Sequence, residues 1–556
     1  TRAVAIALGA LLLSCQALAA PADTIERCLR ANDVPCAQQA LARVDVQGTT
    51  DPQELLMAAR THFYAGDYPP AAALMTRAVK AGYEDRYDEE ALFHRTADTA
   101  TMFTEVRRGE FIVRYRPGVD AVLLDGAFEA LERSRTQVAP IMGGPPPGPV
   151  ILEIFPTAQS FTACSSLKKE DVKTTGVVAL SKWSRLLVMS PRTLGRGYDW
   201  QDTIAHEYIH LVVAHQTHDQ TPVWLQEGIA RYLDNRWPDG KDHFHLEPRS
   251  AGQLVNALRT DQLVPFEVMH PSLAKLPSAE MAALAYAQLA SLIQYAFLDG
   301  GEGVLRDLLP RVDRGDDPFQ AMADTLGEDD FESLFTAWRT WATHRDYETS
   351  SAPSLPVVLE GGATEDVDPV MANRRDLANK MRLGVLLAER GHHRAALVEY
   401  AAAMDADEDS SPLLLNRMAQ AYLGLDKLAE AAAVLEPSLR DYPDFTMTHK
   451  TLGAIRVAQG HAREAAVAYG HAVALDPFDI ESQQALAEDA EISTRHLSCL
   501  ETGRARPSQE MVLVLASALD VPLRDRNTLL LAAGFAPAYR ETDLSSPALR
   551  PVRTAI

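Results

Sequence analysis

The stretch Thr203-Ile204-Ala205-His206-Glu207-Tyr208-Ile209-His210-Leu211-Val212-Val213 constrains this chain more than any other. Its two histidines are four residues apart, about one helical turn, so on a helix both imidazoles project from one face and can share one ion. Glu207 follows the first histidine directly and sits roughly 100° round the helix, near enough to hold a water at that ion. The other positions are apolar or small, which predicts a helix buried inside a domain. Asp199 and Asp202 stand near its start, where carboxylates suit free N–H groups and the positive dipole end. Taken alone, the pattern also suits a buried helix with two hydrogen-bonded histidines.

A second stretch narrows the choice. Pro222-Val223-Trp224-Leu225-Gln226-Glu227-Gly228-Ile229-Ala230-Arg231-Tyr232 reads as the next helix and carries Glu227. Catalytic zinc takes three protein ligands and leaves a fourth position open, and two histidines with one glutamate is a known set. Gly228 and Ala230 are small, as expected where two helices pack closely.

His206-Glu207-Tyr208-Ile209-His210 followed by Trp224-Leu225-Gln226-Glu227-Gly228-Ile229-Ala230-Arg231-Tyr232 resembles the gluzincins, zinc peptidases whose third ligand is a distal glutamate. The likeness is to peptidase-MA-like domains joined to tetratricopeptide repeats, and it extends over about 105 to 345. The resemblance implies that His206, His210 and Glu227 bind Zn2+ and that Glu207 is the general base. It also implies that an edge strand beside the metal helix pairs with the substrate backbone. Some gluzincins place an aspartate one turn after the glutamate ligand to support a histidine. Here that position is Arg231, so the supporting group is not identified by the resemblance.

A chain of 556 residues predicts several domains. Its net charge of −23 argues against general binding to nucleic acid or anionic membranes. Arg2, the apolar run Ala3 to Leu13 and the small residues up to Ala20 read as a secretory signal cleaved after Ala19. Leu12-Leu13-Ser14-Cys15 also resembles a lipoprotein box with Cys15 as the lipidated residue. Either reading places the chain outside the cytoplasm, in a bacterial periplasm or secreted. The third possibility is an apolar start without meaning. Cys28 and Cys36 are spaced to cross-link a helical hairpin in an oxidising compartment or to sit as two small buried residues. Cys164 and Cys499 stand alone in the sequence.

Ala37 and Ala71 are 34 apart, and Ala65-Gly66-Asp67-Tyr68-Pro69-Pro70-Ala71 is followed by Ala78, which reads as tetratricopeptide-like helices. From about 105 the character changes. Strands are expected at Glu110 to Tyr115, Val150 to Phe155, Thr175 to Ala179 and Arg185 to Met189, with a helix over Val122 to Val138. Sheet first and helices after suggest an α+β domain. Beyond the metal helix, a long helix is expected to open at Ala285 and end near Gly300. Its Tyr286 is either a donor to an oxyanion or a packing tyrosine. His215, His218, His243 and His245 read as surface residues, and Asp330 to Trp341 as a closing helix.

Three further tetratricopeptide repeats follow a proline-rich linker. Leu383-Gly384, Gly391, Ala396, Tyr400 and Ala403 match Leu452-Gly453, Gly460, Ala465, Tyr469 and Ala472, and the middle unit offers Tyr422, Ala431 and Pro443. Such repeats stack into a superhelix whose groove holds a protein partner. Ile492 to Pro507 then resembles the lambda-repressor-type (xenobiotic-response-element) helix-turn-helix regulators. The resemblance implies that Thr494, Arg495 and Ser498 face the DNA groove and that Arg504 and Arg506 meet phosphates. The helix such domains need before Ser482 is replaced here by the last repeat, and export argues against chromosomal DNA. A relict or fused segment capping the superhelix is the favoured reading.

The sequence thus predicts a multidomain, mainly α chain: a signal peptide over 1–19, tetratricopeptide-like repeats over 20–100 and an α+β gluzincin peptidase domain over 101–346. A linker over 347–375, three repeats over 376–481, a helix-turn-helix-like segment over 482–545 and a tail over 546–556 complete it. The expected function is an exported zinc endopeptidase whose repeats recruit protein substrate. The alternatives are a repeat scaffold with a non-hydrolysing peptidase fold and a DNA-binding regulator. A membrane contact is expected only through a lipid at Cys15.

Overall fold

A computed structural model describes residues 21–168, 170–172, 176–352, 355, 375–404 and 411–489, with 512, 526 and 530 as isolated positions. The signal segment with Cys15, most of the linker, Cys499 and the five expected DNA-contacting residues lie outside the described residues. The chain divides into two compact units. One holds residues up to 350 apart from 121–125 and 191–200, and the other holds those two segments and the rest. The multidomain, mainly α class with one small sheet is what the structure shows.

The first unit opens with helical hairpins: α1 (Pro21–Arg30), α2 (Val34–Leu41), α3 (Pro52–Tyr64), α4 (Tyr68–Lys80) and α5 (Glu89–Ala100). Caps set their starts. Asp51 accepts from the N–H groups of Gln53 and Glu54, with Pro52 at the first helical position. Small residues let the helices approach, as Ala37, Ala58, Ala59, Ala71 and Ala78 are all buried. Cys28 and Cys36 form a disulfide across the first hairpin.

The sheet follows. Its strands are β1 (Thr104–Arg108), β2 (Phe111–Tyr115), β3 (Val150–Phe155), β4 (Ala179–Lys182) and β5 (Arg185–Met189), in the order β1-β2-β3-β5-β4. β2, β3 and β5 run parallel, while β1 and β4 are antiparallel edges. Two strand expectations need correction. β1 was not expected, because Glu105, Arg107 and Arg108 leave it no buried face. The strand expected at Thr175 to Ala179 lies later, at Ala179–Lys182, where Ser181 pairs with Leu186. The helix expected over Val122 to Val138 is interrupted: α6 covers Leu124–Arg133 and a π-turn follows over Ser134–Val138.

Side-chain alternation gives the sheet two buried faces. One carries Ile151, Glu153 and Arg185 and meets the N-terminal helices. There Arg185 Nη1 donates to Glu153 Oε2 at 2.8 Å and to the Tyr68 hydroxyl at 2.6 Å, and Tyr68 donates in turn to Glu153. Arg114 from β2 reaches Glu153 at 3.4 Å and the Gly66 carbonyl at 2.8 Å. The Arg185 guanidinium also covers the Phe63 ring at 4.5 Å. The opposite face meets α8 (Trp200–Gln216), where Tyr208 lies edge-on to Phe111.

After α7 (Ala158–Ala163) and α8, the unit is completed by α9 (Val223–Leu233), α10 (Pro248–Thr260), α11 (Ala279–Gly300), α12 (Val304–Asp313), α13 (Pro318–Leu326) and α14 (Phe331–Thr343). α11 begins six residues before the expected Ala285, because Ser278 caps it by accepting from the Met281 N–H. It is long and apolar enough to cross a membrane, but most of that surface is buried in the core. Of the four histidines expected at the surface, His215 is half-buried, with Nδ1 2.8 Å from the Ala31 carbonyl.

The second unit contains stacked helices: α15 (Arg375–Glu389), α16 (His393–Ala403), α17 (Pro412–Leu423), α18 (Leu428–Ala433), α19 (Glu436–Asp441), α20 (Thr446–Ala458), α21 (Ala462–Leu475) and α22 (Ile480–Asp489). Small-against-large contacts recur at the repeat spacing. Gly384 faces the Tyr400 ring and Gly453 faces the Tyr469 ring, each with no room for a Cβ. The middle hairpin's second helix is split into α18 and α19 just before Pro437, which has no N–H to continue it.

Glu153 and Arg185 are 1% and 0% exposed, so removing one charge strands the other. Glu153→Gln is expected to cost about 3–5 kcal/mol, read as a lower denaturation midpoint of the first unit. An unchanged midpoint would mean the cluster is not buried as described.

Candidate metal centre

Helix α8 presents its apolar residues Ile204, Tyr208, Ile209, Val212 and Val213 to the core, all essentially inaccessible. This fixes its rotation and leaves His206 and His210 half-buried on the remaining face. Helix α9 delivers Glu227. It packs close to α11 because Gly228 has no side chain: a Cβ there would lie 2.9 Å from Ile293 Cγ1 and 3.1 Å from the Leu289 carbonyl oxygen.

The structure brings His206, His210 and Glu227 together. The two Nε2 atoms are 3.2 Å apart, and Glu227 Oε2 lies 3.5 Å from one and 3.4 Å from the other. Zinc with tetrahedral ligands at 2.0–2.1 Å has ligand–ligand edges of roughly 3.3 Å. The triangle is therefore the size of one face of such a tetrahedron. Its chemistry fits as well. Glu227 Oε2 is buried without a hydrogen-bond donor, although two imidazoles flank it. Among the described residues this is the one group of three histidine, cysteine or acidic side chains whose ligand atoms converge this way.

Asp234 supports His206, accepting from Nδ1 at 3.3 Å. That hydrogen bond leaves the Nε2 lone pair for the centre. Asp234 is buried and is held in turn by Arg231 at 3.1 Å. So Arg231, at the position where some gluzincins carry an aspartate, acts on the supporting carboxylate instead of replacing it. The sequence reading missed Asp234, yet its spacing was a usable signal. It follows Glu227 by seven residues, two helical turns along the same face of α9.

Burial opposes a charge on His206. The hydrogen bond to Asp234 and the nearby Glu227 and Glu207 carboxylates outweigh it and carry the imidazole up to about 10. Burial likewise works against the Glu227 carboxylate, but His210 and His206 hold it well below the usual range. A buried anion facing two imidazoles thus attracts positive charge to the centre. Glu207 is pushed upward by burial, and its carboxylate accepts from the Ser181 backbone N–H. Ser181 belongs to β4, the edge strand, so the candidate base touches the edge where an extended peptide could add. Tyr286, from α11, stands beside Glu227 and Glu207, and burial raises its hydroxyl well above the ordinary tyrosine range, so it keeps its proton.

Since Leu289 O is backbone and cannot move aside, Gly228→Ala should push α9 off α11. We expect about 1–3 kcal/mol of destabilisation together with weaker zinc affinity, measured by competition with a chelator. Unchanged affinity would show that Glu227 does not depend on this close approach.

Comparison with known proteins agrees with this geometry. Residues 133–344 match the Peptidase MA superfamily profile, and residues 482–525 match a Helix-turn-helix profile. No curated protein sequence matches the chain. Native yeast LTA4 hydrolase is 12% identical over 72% of this chain and 66% of that chain, with a TM-score of 0.28. Native leukotriene A4 hydrolase from Saccharomyces cerevisiae gives the same coverage and identity with a TM-score of 0.27. The APC/C hetero-tetramer Cut9-Hcn1 is 12% identical over 92% of this chain and 95% of that chain, with a TM-score of 0.19. The chain thus spans just under two thirds of the hydrolase's length. TM-scores this low carry no weight, so the likeness rests on residues 133–344, which are similar to the Peptidase MA superfamily.

Proposed function

We propose that the protein is an exported zinc-dependent peptidase that cleaves within peptide chains. The convergence of His206 Nε2, His210 Nε2 and Glu227 Oε2 beside Glu207 carries this reading. The three side chains would hold the zinc, and Asp234 orients His206. Bound zinc supplies Lewis acidity, which polarises a carbonyl and makes water more acidic.

Glu207 takes the proton of the attacking water on its carboxylate and passes it to the leaving nitrogen. Its upward shift brings it nearer the operating pH, where one group both accepts and donates. Tyr286 retains a donor hydrogen beside the centre. The free edge of β4 offers backbone groups to an extended substrate. Export is supported by the N-terminal apolar run and by the Cys28–Cys36 disulfide, which suits an oxidising compartment. The helices of the second unit would recruit a protein substrate or partner through their groove. In the helix-turn-helix match, Thr494, Arg495, Ser498, Arg504 and Arg506 are the residues that would meet DNA, a contact that export disfavours.

Cleavage of a mixed peptide library by the full zinc-loaded chain tests this reading beside Glu207→Gln. Loss of the general base should lower turnover by about 10²–10⁴-fold while zinc stays bound at one per chain. No turnover by either protein would favour the scaffold reading, and equal turnover by both would show that Glu207 is not the base.

A further inference from the structure

A polar cavity of about 300 Å³ reaches the metal-centre residue His210 from the side of the N-terminal helices. Facing the metal helix, its walls include α1 with Arg30, α3 with Arg60, and the end of β4 and its turn with Lys182 and Trp183. The N-terminal helices are bound tightly to this spot. The Trp183 ring packs edge-on against Phe63 at 5.5 Å. Ser184 donates to Asn32 Oδ1 at 2.8 Å, and His215 at the end of the metal helix reaches the Ala31 carbonyl at 2.8 Å. Trp183 and Ser184 both adopt φ of +57°, a conformation that side-chain-bearing residues rarely take. Their turn is held by the helices it touches.

The charge of the cavity runs against that of the chain. The whole sequence carries −23, yet three cations, Arg30, Arg60 and Lys182, line the cavity against the carboxylates of Glu26 and Asp219. Two of the cations are already engaged. Arg60 makes a two-point contact with Glu89, and Arg30 pairs with Glu26 at 2.8 Å. Lys182 is different. Its ammonium has a weak 3.4 Å contact with Ser166 Oγ and stands 5.0 Å from the Trp183 ring, and the ion pairs seen among the described residues do not include it. Its ammonium is exposed, and it feels the like charge of Lys275 as well as the opposite charges of Asp219 and Glu89. An anion entering here relieves the lysine–lysine repulsion and meets an ammonium that has no carboxylate in contact.

We propose that the N-terminal helices and the β4–β5 turn form a specificity wall of the cleft, and that Lys182 selects peptide substrates carrying a carboxylate side chain beside the cleavage site. This rests on the peptidase reading for its substrate class. It gives the N-terminal helices a direct part in choosing the bond, in place of remote recruitment.

The test is equilibrium binding to the full, zinc-loaded Glu207→Gln chain, so that no turnover is needed. The probes are blocked alanine heptapeptides in which one Glu, Gln or Lys is moved through each position. At one position Glu should bind about tenfold tighter than Gln. Adding Lys182→Glu should abolish that preference and turn it toward Lys. Lys182 is exposed, so an unchanged melting temperature will show that the variant is folded. Equal affinities at every position, no binding, or the same preference in the Lys182→Glu chain would overturn the proposal. Turnover of neutral peptides by the unmodified chain is a separate readout: its failure with acid-selective binding intact would remove the peptidase reading alone.

Discussion

The close packing of α9 on α11 is the constraint on which the candidate centre depends. His206 and His210 are placed by one helix whose rotation is fixed by its buried face. Glu227 is placed by another, and only the missing side chain of Gly228 lets that helix come near enough. The result is three electron-rich atoms within 3.5 Å of one another in a half-buried site. Such an arrangement is unfavourable unless positive charge sits among them. The upward shift of His206 and the downward shift of Glu227 express the same demand by protonation.

The sheet has a second task besides holding the metal helix. Its other face carries a buried ionic cluster of Glu153, Arg185, Tyr68 and Arg114. A buried ion pair is a poor source of stability compared with apolar packing, but it tolerates few alternative arrangements. Here it pins α3 and α4 to the strands whose turn contains Lys182 and Trp183. Helices of the kind usually regarded as a separate recruiting module therefore become part of the cleft. The disulfide of Cys28 and Cys36 braces the hairpin whose turn touches both His215 and Ser184.

Much of the candidate centre was legible in the sequence because it is helical. Histidines four apart, and a glutamate on the next amphipathic segment, state their geometry through the helical period alone. Asp234 obeyed the same period at two turns from Glu227 and was readable, but the familiar one-turn spacing drew attention to Arg231. The strands were less legible. β3 is an apolar run broken only by Glu153 and β5 is one that opens with Arg185, whereas β4 is only Ala179-Leu180-Ser181-Lys182 and is set by its pairing to Arg185–Val188. Its turn uses Trp183 and Ser184 in left-handed conformation, with no asparagine or glycine to announce it. What stabilises that turn is Phe63 and Asn32, far away in the chain. The cavity is likewise a product of long-range packing, so no local pattern displays it.

The most direct test of the central claim is X-ray absorption at the zinc edge of the purified full chain. The account predicts one zinc per chain with nitrogen and oxygen donors at about 2.0–2.1 Å, and the imidazole scattering of two histidines. Glu227→Ala should lower the occupancy while the protein stays folded. Sulfur scattering, or a folded chain that holds no stoichiometric zinc, would contradict it.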